Sequence, residues 1–302
     1  MKPRAPIHPW LMLGPSLAAW TVFVFVPLGL AAYESLFAWD MLTDPVYVGS
    51  ANYAAIAENG ELGRILGRTL GYSAVVVTGS MVLGLGLALL LDRPGRLFAF
   101  VRGAIFSAYV VSWVAVALLW VLLLDPDRGV AAAVLRAVGL PRVGFLTDPR
   151  AALVTLAGVT IWKITGYAMV VFLAGLRSVP SSLHEAASLD GAGAVARFRW
   201  VTWPLLKPTA AFVATTSLIV SFQAFDVVRI MTGGGPARAT TLFVYAIYEQ
   251  VFMNLSVGRA SALAVVYFLV LCLLAAAQLR AWRSRAGERP ARKAPRTRWR
   301  RA

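Results

Sequence analysis

A short polar segment in the second half of the chain has residue types and a spacing suited to contact with another protein. Two adjacent alanines permit close approach of a partner helix, a glycine makes a turn that other residues adopt only at a cost, and a glutamate offers one charge. The chemistry that this predicts is recognition rather than catalysis. The residues of this recognition segment are Glu185, Ala186, Ala187, Asp190, Gly191 and Pro204.

A charge inside an apolar stretch is the second feature with chemical consequences. Lys163 is the one charged residue between Ala151 and Leu176, and a lysine at the centre of a bilayer costs roughly 2.5–3.5 kcal/mol on insertion scales. We therefore expect Lys163 to face a cavity or a partner, which makes it a candidate for the path of a transported solute. A structural ion pair with Asp226 is the alternative, and both interpretations stay open at this point.

Motifs for catalysis and nucleotide binding are absent from the sequence. No lysine follows a glycine, so the Gly-Lys pair of a phosphate-binding P-loop is missing. The two histidines, His8 and His184, and the single cysteine, Cys272, form no HExxH motif or cysteine cluster. We therefore predict no metal site and no cofactor bound by this chain, and we predict that the chain is not an enzyme.

Composition indicates which elements must position these residues. Hydrophobic residues make up 59% of the 302 residues and charged residues only 14%, against about 25% charged in soluble domains. Six apolar stretches approach the roughly 20 residues that span a bilayer, and they predict an all-α polytopic membrane protein with six transmembrane helices. The stretches are Pro9 to Tyr33, Leu70 to Leu91, Ala104 to Leu124, Ala151 to Leu176, Pro208 to Phe225 and Ala260 to Leu279.

Basic residues lie mostly on one side of these six spans. Of the 29 lysines and arginines, nineteen fall on the side of the two termini and six on the opposite side, so the positive-inside rule predicts that both termini are cytoplasmic. Residues 1–8 are then a cytoplasmic N-terminus, 9–280 the six-helix domain, and 281–302 a basic disordered tail held near anionic membrane lipid. This topology accounts for the net charge of +15, and nucleic acid is not an expected partner.

The recognition segment lies in the longer of the two predicted cytoplasmic loops, residues 177–208. That loop is too long for a bare connector. Leu183 to Leu189 and Ala192 to Trp200 both have helical patterns, and Gly191 separates them. We expect two short helices on the membrane surface that expose a knob to the cytoplasm.

The spacing in this loop resembles the EAA loop of ABC importer permeases. The family pattern is Glu-Ala-Ala, three residues, Gly, nine residues, then Ile, any residue, Leu and Pro, and the spacing from Glu185 to Pro204 matches throughout. Val201 stands for the isoleucine and Trp203 for the leucine, so both positions stay apolar. The resemblance implies the MetI-like permease fold and a coupling helix that docks in a cleft of a separate ATPase subunit, which binds ATP and Mg.

Further motifs resemble the maltose-type branch of carbohydrate permeases. They are Ile161-Trp162-Lys163 with Gly166-Tyr167, Phe172 to Leu176 before Pro180, Phe222-Gln223 with Phe225-Asp226, and Met231 to Pro236. The resemblance implies four kinds of partner in a bacterial inner membrane: a second homologous permease, two ATP-binding subunits, an extracytoplasmic solute-binding protein and membrane lipid. A sugar is the implied solute, and glycerol-3-phosphate stays open because its permeases share this architecture.

The same resemblance places solute contacts on one face of the fourth span and one face of the fifth. The three glycines of an external turn permit close backbone approach by another protein, so we expect this turn to meet the solute-binding protein or to line the external gate, with a plain turn as the alternative. The residues that this implies for the solute pathway are Thr160, Lys163, Tyr167, Ser217, Ser221, Gln223 and Asp226. The residues of the external turn are Gly233, Gly234, Gly235 and Pro236.

Two other classes of protein could also have six spans. An ion-coupled secondary transporter or channel often has paired carboxylates within the membrane or broken helices in two related halves, whereas only Glu34 and Asp226 approach the spans here. A membrane enzyme needs a nucleophile, base or metal set within the spans, and none is visible. The importer permease is therefore the predicted function, with the secondary transporter or channel as the alternative.

Overall fold

Helices form almost all of the computed structural model, which describes residues 9–58 and 60–286. A π-helical turn, Thr21–Phe25, joins the first two helices, and a second one, Phe198–Thr202, joins the tenth to the eleventh. The helices are α1 (Pro9–Trp20), α2 (Val26–Glu34), α3 (Ala51–Glu58), α4 (Glu61–Leu91), α5 (Arg96–Val110), α6 (Trp113–Leu123), α7 (Val130–Ala137), α8 (Pro149–Arg177), α9 (Ser181–Leu189), α10 (Ala194–Arg197), α11 (Trp203–Phe222), α12 (Asp226–Met231), α13 (Phe243–Phe252) and α14 (Val257–Ala286). The strands β1 (Phe37–Ala38) and β2 (Val46–Tyr47) form a small antiparallel pair.

Six segments of the described chain could cross a membrane. Five are continuous and apolar, namely Leu13–Glu34, Glu61–Leu91, Pro149–Arg177, Ala194–Phe222 and Val257–Gln278, and the sixth is the pair α5 and α6. The predicted mostly helical, polytopic fold is therefore confirmed, with five continuous candidate spans and a sixth if the bent pair α5 and α6 forms one span. The boundaries differ in two places: α11 begins at Trp203 and contains Pro208, and α14 continues to Ala286, so the first residues of the predicted disordered tail are helical. Residues 1–8 and 287–302 lie outside the described residues.

The third span, predicted from Ala104 to Leu124, is broken into two helices, and the sequence did not predict this break. The axes of α5 and α6 differ in direction by 100°. Two residues between the helices have extended backbone, Val111 with ψ 144° and Ser112 with ψ 141°. Neither proline nor glycine occurs in this stretch, so its composition indicates a span and gives no sign of the break.

The core is built around α8, which packs most closely on α4. Glycines of α4 make this approach possible: a Cβ on Gly79 would lie 2.5 Å from the side chain of Ile161, and one on Gly84 would lie 2.6 Å from that of Ala168. Close approach through small residues is a usual way for helices to pack in membranes. α8 is therefore a central, buried helix, and side chains on several of its faces contact neighbours.

Contacts between loops place the predicted external segments at one end of the bundle. The amide of Val257 donates to the carbonyl of Trp39 at 2.9 Å, and Arg238 forms an ion pair with Glu61 at 2.7 Å. At the other end Arg177, at the end of α8, forms an ion pair at 3.3 Å with Asp92, just after α4. The chain therefore crosses back and forth between two ends, as the alternation of its loops predicts.

Candidate functional site: a cavity pair joined to an exposed helical elbow

A cavity of about 210 Å³ lies between the fourth and fifth spans and the end of α5. The rings of Tyr109 and Tyr167 stack beside it with centroids 5.0 Å apart, and the hydroxyl of Ser217 accepts a hydrogen bond from Ser80 at 3.1 Å. We name this space cavity A. Its lining residues are Tyr109, Ile164, Tyr167, Thr216, Ser217, Ile219 and Val220.

A second cavity, also of about 210 Å³, lies further along α11 and is named cavity B. It forms where α11 ends at Phe222 and α12 begins at Asp226, and the interruption brings the amide of Gln223 and the carboxylate of Asp226 to the same space. Its lining residues are Trp113, Val220, Gln223, Ala224, Phe225, Asp226 and Val227. Val220 lines both cavities, so they follow one face of α11.

The chemistry of these linings suits reversible binding of a small polar solute. Aromatic rings offer flat apolar faces, and tyrosine and serine hydroxyls, an amide and a carboxylate offer hydrogen bonds at a few fixed points. Ligand sites commonly combine an apolar wall with a few polar groups in this way. Among the described residues, no group of three or more His, Cys, Asp or Glu side chains could hold a metal ion.

The structure brings four of the seven predicted pathway residues to the cavities. Tyr167 and Ser217 line cavity A, and Gln223 and Asp226 line cavity B. The other three, Thr160, Lys163 and Ser221, are buried in contacts within the chain and line neither cavity.

Each of these three buried residues has a partner within the chain. Thr160 shares a hydrogen bond of 2.6 Å with the hydroxyl of Tyr72 on α4. Ser221 donates to the carbonyl of Leu218 in its own helix at 2.8 Å.

Lys163 is only 1% exposed, and its ammonium group lies at the break of the third span. It donates to the carbonyl oxygens of Ala108 at 3.1 Å, Tyr109 at 3.2 Å and Val111. The last carbonyls of a helix lack partners and carry partial negative charge, which a cation satisfies. The partner expected for this lysine is therefore the C-terminal end of α5, and the described residues include no ion pair between Lys163 and Asp226.

Among the polar and aromatic residues that line the cavities, sequence reasoning missed Tyr109, Trp113 and Thr216. Tyr109 and Trp113 lie on the two sides of the unpredicted break, so nothing in a continuous apolar run indicated that both face the fifth span. Thr216 could have been found, because it lies four residues before Val220, which places the two side chains on the same face of α11.

The recognition segment forms a helix that ends in a glycine turn, as predicted. α9 ends at Leu189, and Gly191 has φ +79°. Its amide donates to the carbonyl of Ser188 at 3.1 Å, and the amide of Ala192 donates to that of Ala187 at 2.9 Å. These two bonds define a Schellman motif, in which the left-handed position favours glycine.

The outer face of α9 is open to solvent in this chain. Glu185, Ala186 and Asp190 are all exposed, and Leu189 beyond them is 90% exposed. These side chains are therefore accessible to a partner.

A short turn from Asp190 to Gly193 separates α9 from α10, and from α10 onwards the chain is helical into the fifth span. α10 passes into the π-helical turn and then into α11, whose first turn holds Pro204, a position that suits proline. Trp203, which replaces the leucine of the EAA pattern, lines an apolar groove of about 730 Å³ with Phe198, Trp200 and others. The replacement therefore keeps a packing role at the elbow between α9 and α11.

The external turn packs on α13 of the same chain. Gly233 and Gly234 have φ +56° and +80°, and a Cβ on Gly234 would collide with the ring of Tyr245. The Tyr245 hydroxyl donates to the carbonyl of Gly233 at 2.8 Å, and burial raises the pKa of this hydroxyl above its ordinary value. The close approach expected of these glycines is thus made by the chain itself, while Gly235 and Pro236 complete the turn.

A sequence model of the family described as "Binding-protein-dependent transport system inner membrane component" matches residues 80–286. This region holds both cavities and the elbow. The chain belongs to this family. It is a permease subunit and a multi-pass inner membrane protein, and ATP hydrolysis in such systems belongs to a separate subunit.

Relatives of this permease cover nearly its full length. It is 33% identical over 276 residues to the sn-glycerol-3-phosphate transport system permease protein UgpA of Agrobacterium fabrum, with 91% of this chain and 94% of the relative aligned. It is 30% identical to the sulfoquinovosyl glycerol transport system permease protein SmoG of the same organism, with 91% and 90% aligned.

Solved structures share the fold. A chain of the bacterial alginate ABC transporter, crystallised in complex with an alginate pentasaccharide-bound periplasmic protein, superposes with a TM-score of 0.77 and 23% identity, covering 89% of this chain and 92% of that one. A chain of the inward-facing MetNI methionine ABC transporter gives a TM-score of 0.53 and 20% identity, covering 74% and 95%. The predicted resemblance to MetI-like permeases is thus confirmed for the fold.

Proposed function

We propose that this permease imports a sugar or a glycerol-3-phosphate-like solute through cavities A and B, driven by ATP hydrolysis on partner subunits. The observation that carries the proposal is the continuity of the chain between two surfaces. α9 presents an open recognition face, and the elbow after it leads directly into α11, whose opposite end lines both cavities. A displacement of α9 by a partner therefore reaches the cavity walls through the hydrogen-bonded turn at Gly191 and the helical segments from α10 to α11.

The direction of this coupling follows from the topology proposed for the chain. Both termini and the loop 177–208 face the cytoplasm, since the basic residues concentrate on that side. ATP and Mg bind to the two ATPase subunits, each ATPase cleft holds one coupling helix, and closure of the ATPases moves Glu185 to Pro204 with it. The spans then alternate between an inward-facing and an outward-facing state around the solute.

The remaining partners occupy the other faces of the permease. A second homologous permease completes the walls of cavities A and B, since each is a partly open space on one face of α11. The solute-binding protein delivers the solute at the external end, where the turn from Gly233 to Pro236 lies beside the Arg238 ion pairs with Glu61 and Glu249. Relatives of this permease are named for sn-glycerol-3-phosphate and sulfoquinovosyl glycerol, which supports a polyol or sugar derivative as the solute class.

The test is reconstitution of the permease with its sister permease and ATPase subunits in proteoliposomes, with the solute-binding protein added. Stimulation of ATPase activity by a binding protein loaded with one candidate solute identifies the solute class. Glu185→Ala and Gly191→Pro are expected to abolish stimulation while the complex still assembles. The matched control is Asp44→Ala, which removes an exposed carboxylate at the other end of the molecule. Equal stimulation in all three variants would contradict the coupling role of α9.

A further inference from the structure

We propose that Lys163 is a positioning residue that holds the break of the third span, and thereby places Tyr109 and Trp113 as walls of the two cavities. The proposal rests on the function proposed above for those cavities. It assigns Lys163 to the architecture of the pathway, and it excludes Lys163 as a solute ligand.

The break needs a cause outside its own sequence. Sharp kinks in helices arise at proline, at glycine and serine pairs, at π-bulges, or where a side chain inserts into the ladder of hydrogen bonds. The residues around Val111 and Ser112 include neither proline nor glycine. The ammonium group of Lys163 inserts here and bonds to the carbonyls of Ala108, Tyr109 and Val111.

The reach of Lys163 depends on close contact between α8 and α5. At Gly166, one turn after the lysine, a Cβ would lie 2.5 Å from the carbonyl oxygen of Ile105 and 2.9 Å from the Cα of Phe106. Only glycine permits this approach without a shift of backbone. Lys163 is thus delivered to the end of α5 by the helix packing, and its side chain is buried there.

Two cavity residues flank the break and contact elements of α8. Tyr109 precedes the break, stacks on Tyr167 with ring centroids 5.0 Å apart and lines cavity A. Trp113 follows the break, has its ring centroid 4.8 Å from the Lys163 ammonium and lines cavity B. If the third span were straight, α6 would continue along the axis of α5 and carry Trp113 away from α11.

The bend shortens the distance between the two ends of the third span, and this distance can be measured. Positions 100 and 122 carry exposed side chains, Phe100 at 74% and Leu122 at 72%, and they lie on α5 and α6. In a straight helix their backbones would be about 33 Å apart at 1.5 Å per residue. With the observed bend of 100° the same rise gives about 20 Å. Spin labels at these two positions therefore report the break directly.

The experiment uses the assembled transporter in nanodiscs, with Cys272→Ala as background and labelled Phe100→Cys and Leu122→Cys. Lys163→Met removes the ammonium group, Lys163→Arg keeps a positive donor, and Thr165→Val removes a buried hydroxyl that bonds only within α8, to Ile161. We expect a distance near 20 Å in the parent, the arginine variant and the threonine variant. In Lys163→Met we expect a broader distribution shifted towards 33 Å.

A second variant, Ser112→Pro, favours the broken backbone conformation without the help of Lys163. Ser112 has φ −54° and follows a residue with ψ 144°, which suits proline and the residue before it. Ser112→Pro is therefore expected to restore the short distance and the uptake of Lys163→Met, even if the single variant assembles poorly. A solute ligand could not be replaced in this way.

Uptake distinguishes the two proposals. We expect Lys163→Met to raise the KM for solute uptake at least tenfold with basal ATPase activity retained, and the proline double variant to bring the KM back within threefold of the parent. An unchanged distance in Lys163→Met, an equal shift in Thr165→Val, or a proline variant with the short distance but no recovery of KM would overturn the positioning role. Absence of ATP-dependent uptake by the parent would instead refute the proposed function, while the distance would still report the break.

Discussion

Substitution of Gly166 by alanine tests the packing that supports the pathway. The new Cβ would lie 2.5 Å from the carbonyl oxygen of Ile105, whereas ordinary contacts begin at 3.4 Å, so α5 and α8 must separate by about 0.9 Å. Overpacking of this kind costs typically about 1–3 kcal/mol. Alanine recovers up to about 1 kcal/mol of helix propensity over glycine. With the full propensity gain, the expected net loss in free energy of unfolding is about 0–2 kcal/mol, which is about 1–3 kcal/mol relative to a substitution that has the same gain without the clash.

The matched control for this substitution lies on the same helix. Gly158 has no atom within 4 Å of its ideal Cβ, so Gly158→Ala is expected to keep the propensity gain without a clash. Reversible unfolding of both variants in mixed micelles gives the two free energies. If Gly166→Ala were as stable as Gly158→Ala, the close contact between α5 and α8 would not exist, and the reach of Lys163 to the break would lose its basis.

Three further substitutions test the elbow, the external turn and cavity A. Gly191→Ala places a side chain at φ +79°, which costs roughly 1–2 kcal/mol, and it should reduce the stimulation of ATPase activity several-fold. The control Gly193→Ala, at φ −69°, should leave the stimulation unchanged. Equal effects of the two substitutions would contradict the Schellman turn. In Gly234→Ala the new side chain would collide with the ring of Tyr245, whereas Tyr245→Phe removes one hydrogen bond worth about 1 kcal/mol. The alanine substitution should therefore lower the midpoint of thermal unfolding more than Tyr245→Phe. The reverse order would refute the packing of the turn. Tyr167→Ala should raise the KM for uptake with basal ATPase activity unchanged, and an unchanged KM would exclude cavity A from the pathway.

Apolar length was enough to predict the spans, because a bilayer leaves few other ways to satisfy twenty apolar residues. The turn at Gly191 could be predicted equally well, because a glycine after a short amphipathic stretch is a local signal for the end of a helix. Such features depend on neighbours in the sequence, and they appear in the structure within a few residues of the predicted positions.

The arrangement around Lys163 could not be predicted in the same way. Its cost in a membrane indicated that a partner exists, but the partner is a set of backbone carbonyls at a break some fifty residues earlier in the chain. Backbone acceptors have no signature in the sequence, so Asp226 was the visible alternative.

Thr160 shows the same limit in a simpler form. Its hydroxyl matches a solute contact by spacing, yet Tyr72 on α4 occupies it. Spacing along one helix indicates which residues share a face, while the neighbour that covers that face depends on tertiary packing. Tyr167, on the same helix, lines cavity A and stacks on Tyr109. Ser217 also lines this cavity, although its hydroxyl accepts a hydrogen bond from Ser80 on α4.

The central claim is that this permease moves solute only through partner ATPases. The most direct measurement is uptake of a labelled sugar or glycerol-3-phosphate into proteoliposomes that contain the permease pair, with and without the ATPase subunits. The loaded binding protein is present, and ATP is supplied on the side of the liposome membrane that the ATPase subunits face. We predict uptake that needs both ATP and the ATPase subunits. Uptake by the permease without them, driven by an ion gradient, would contradict the account and establish a secondary transporter.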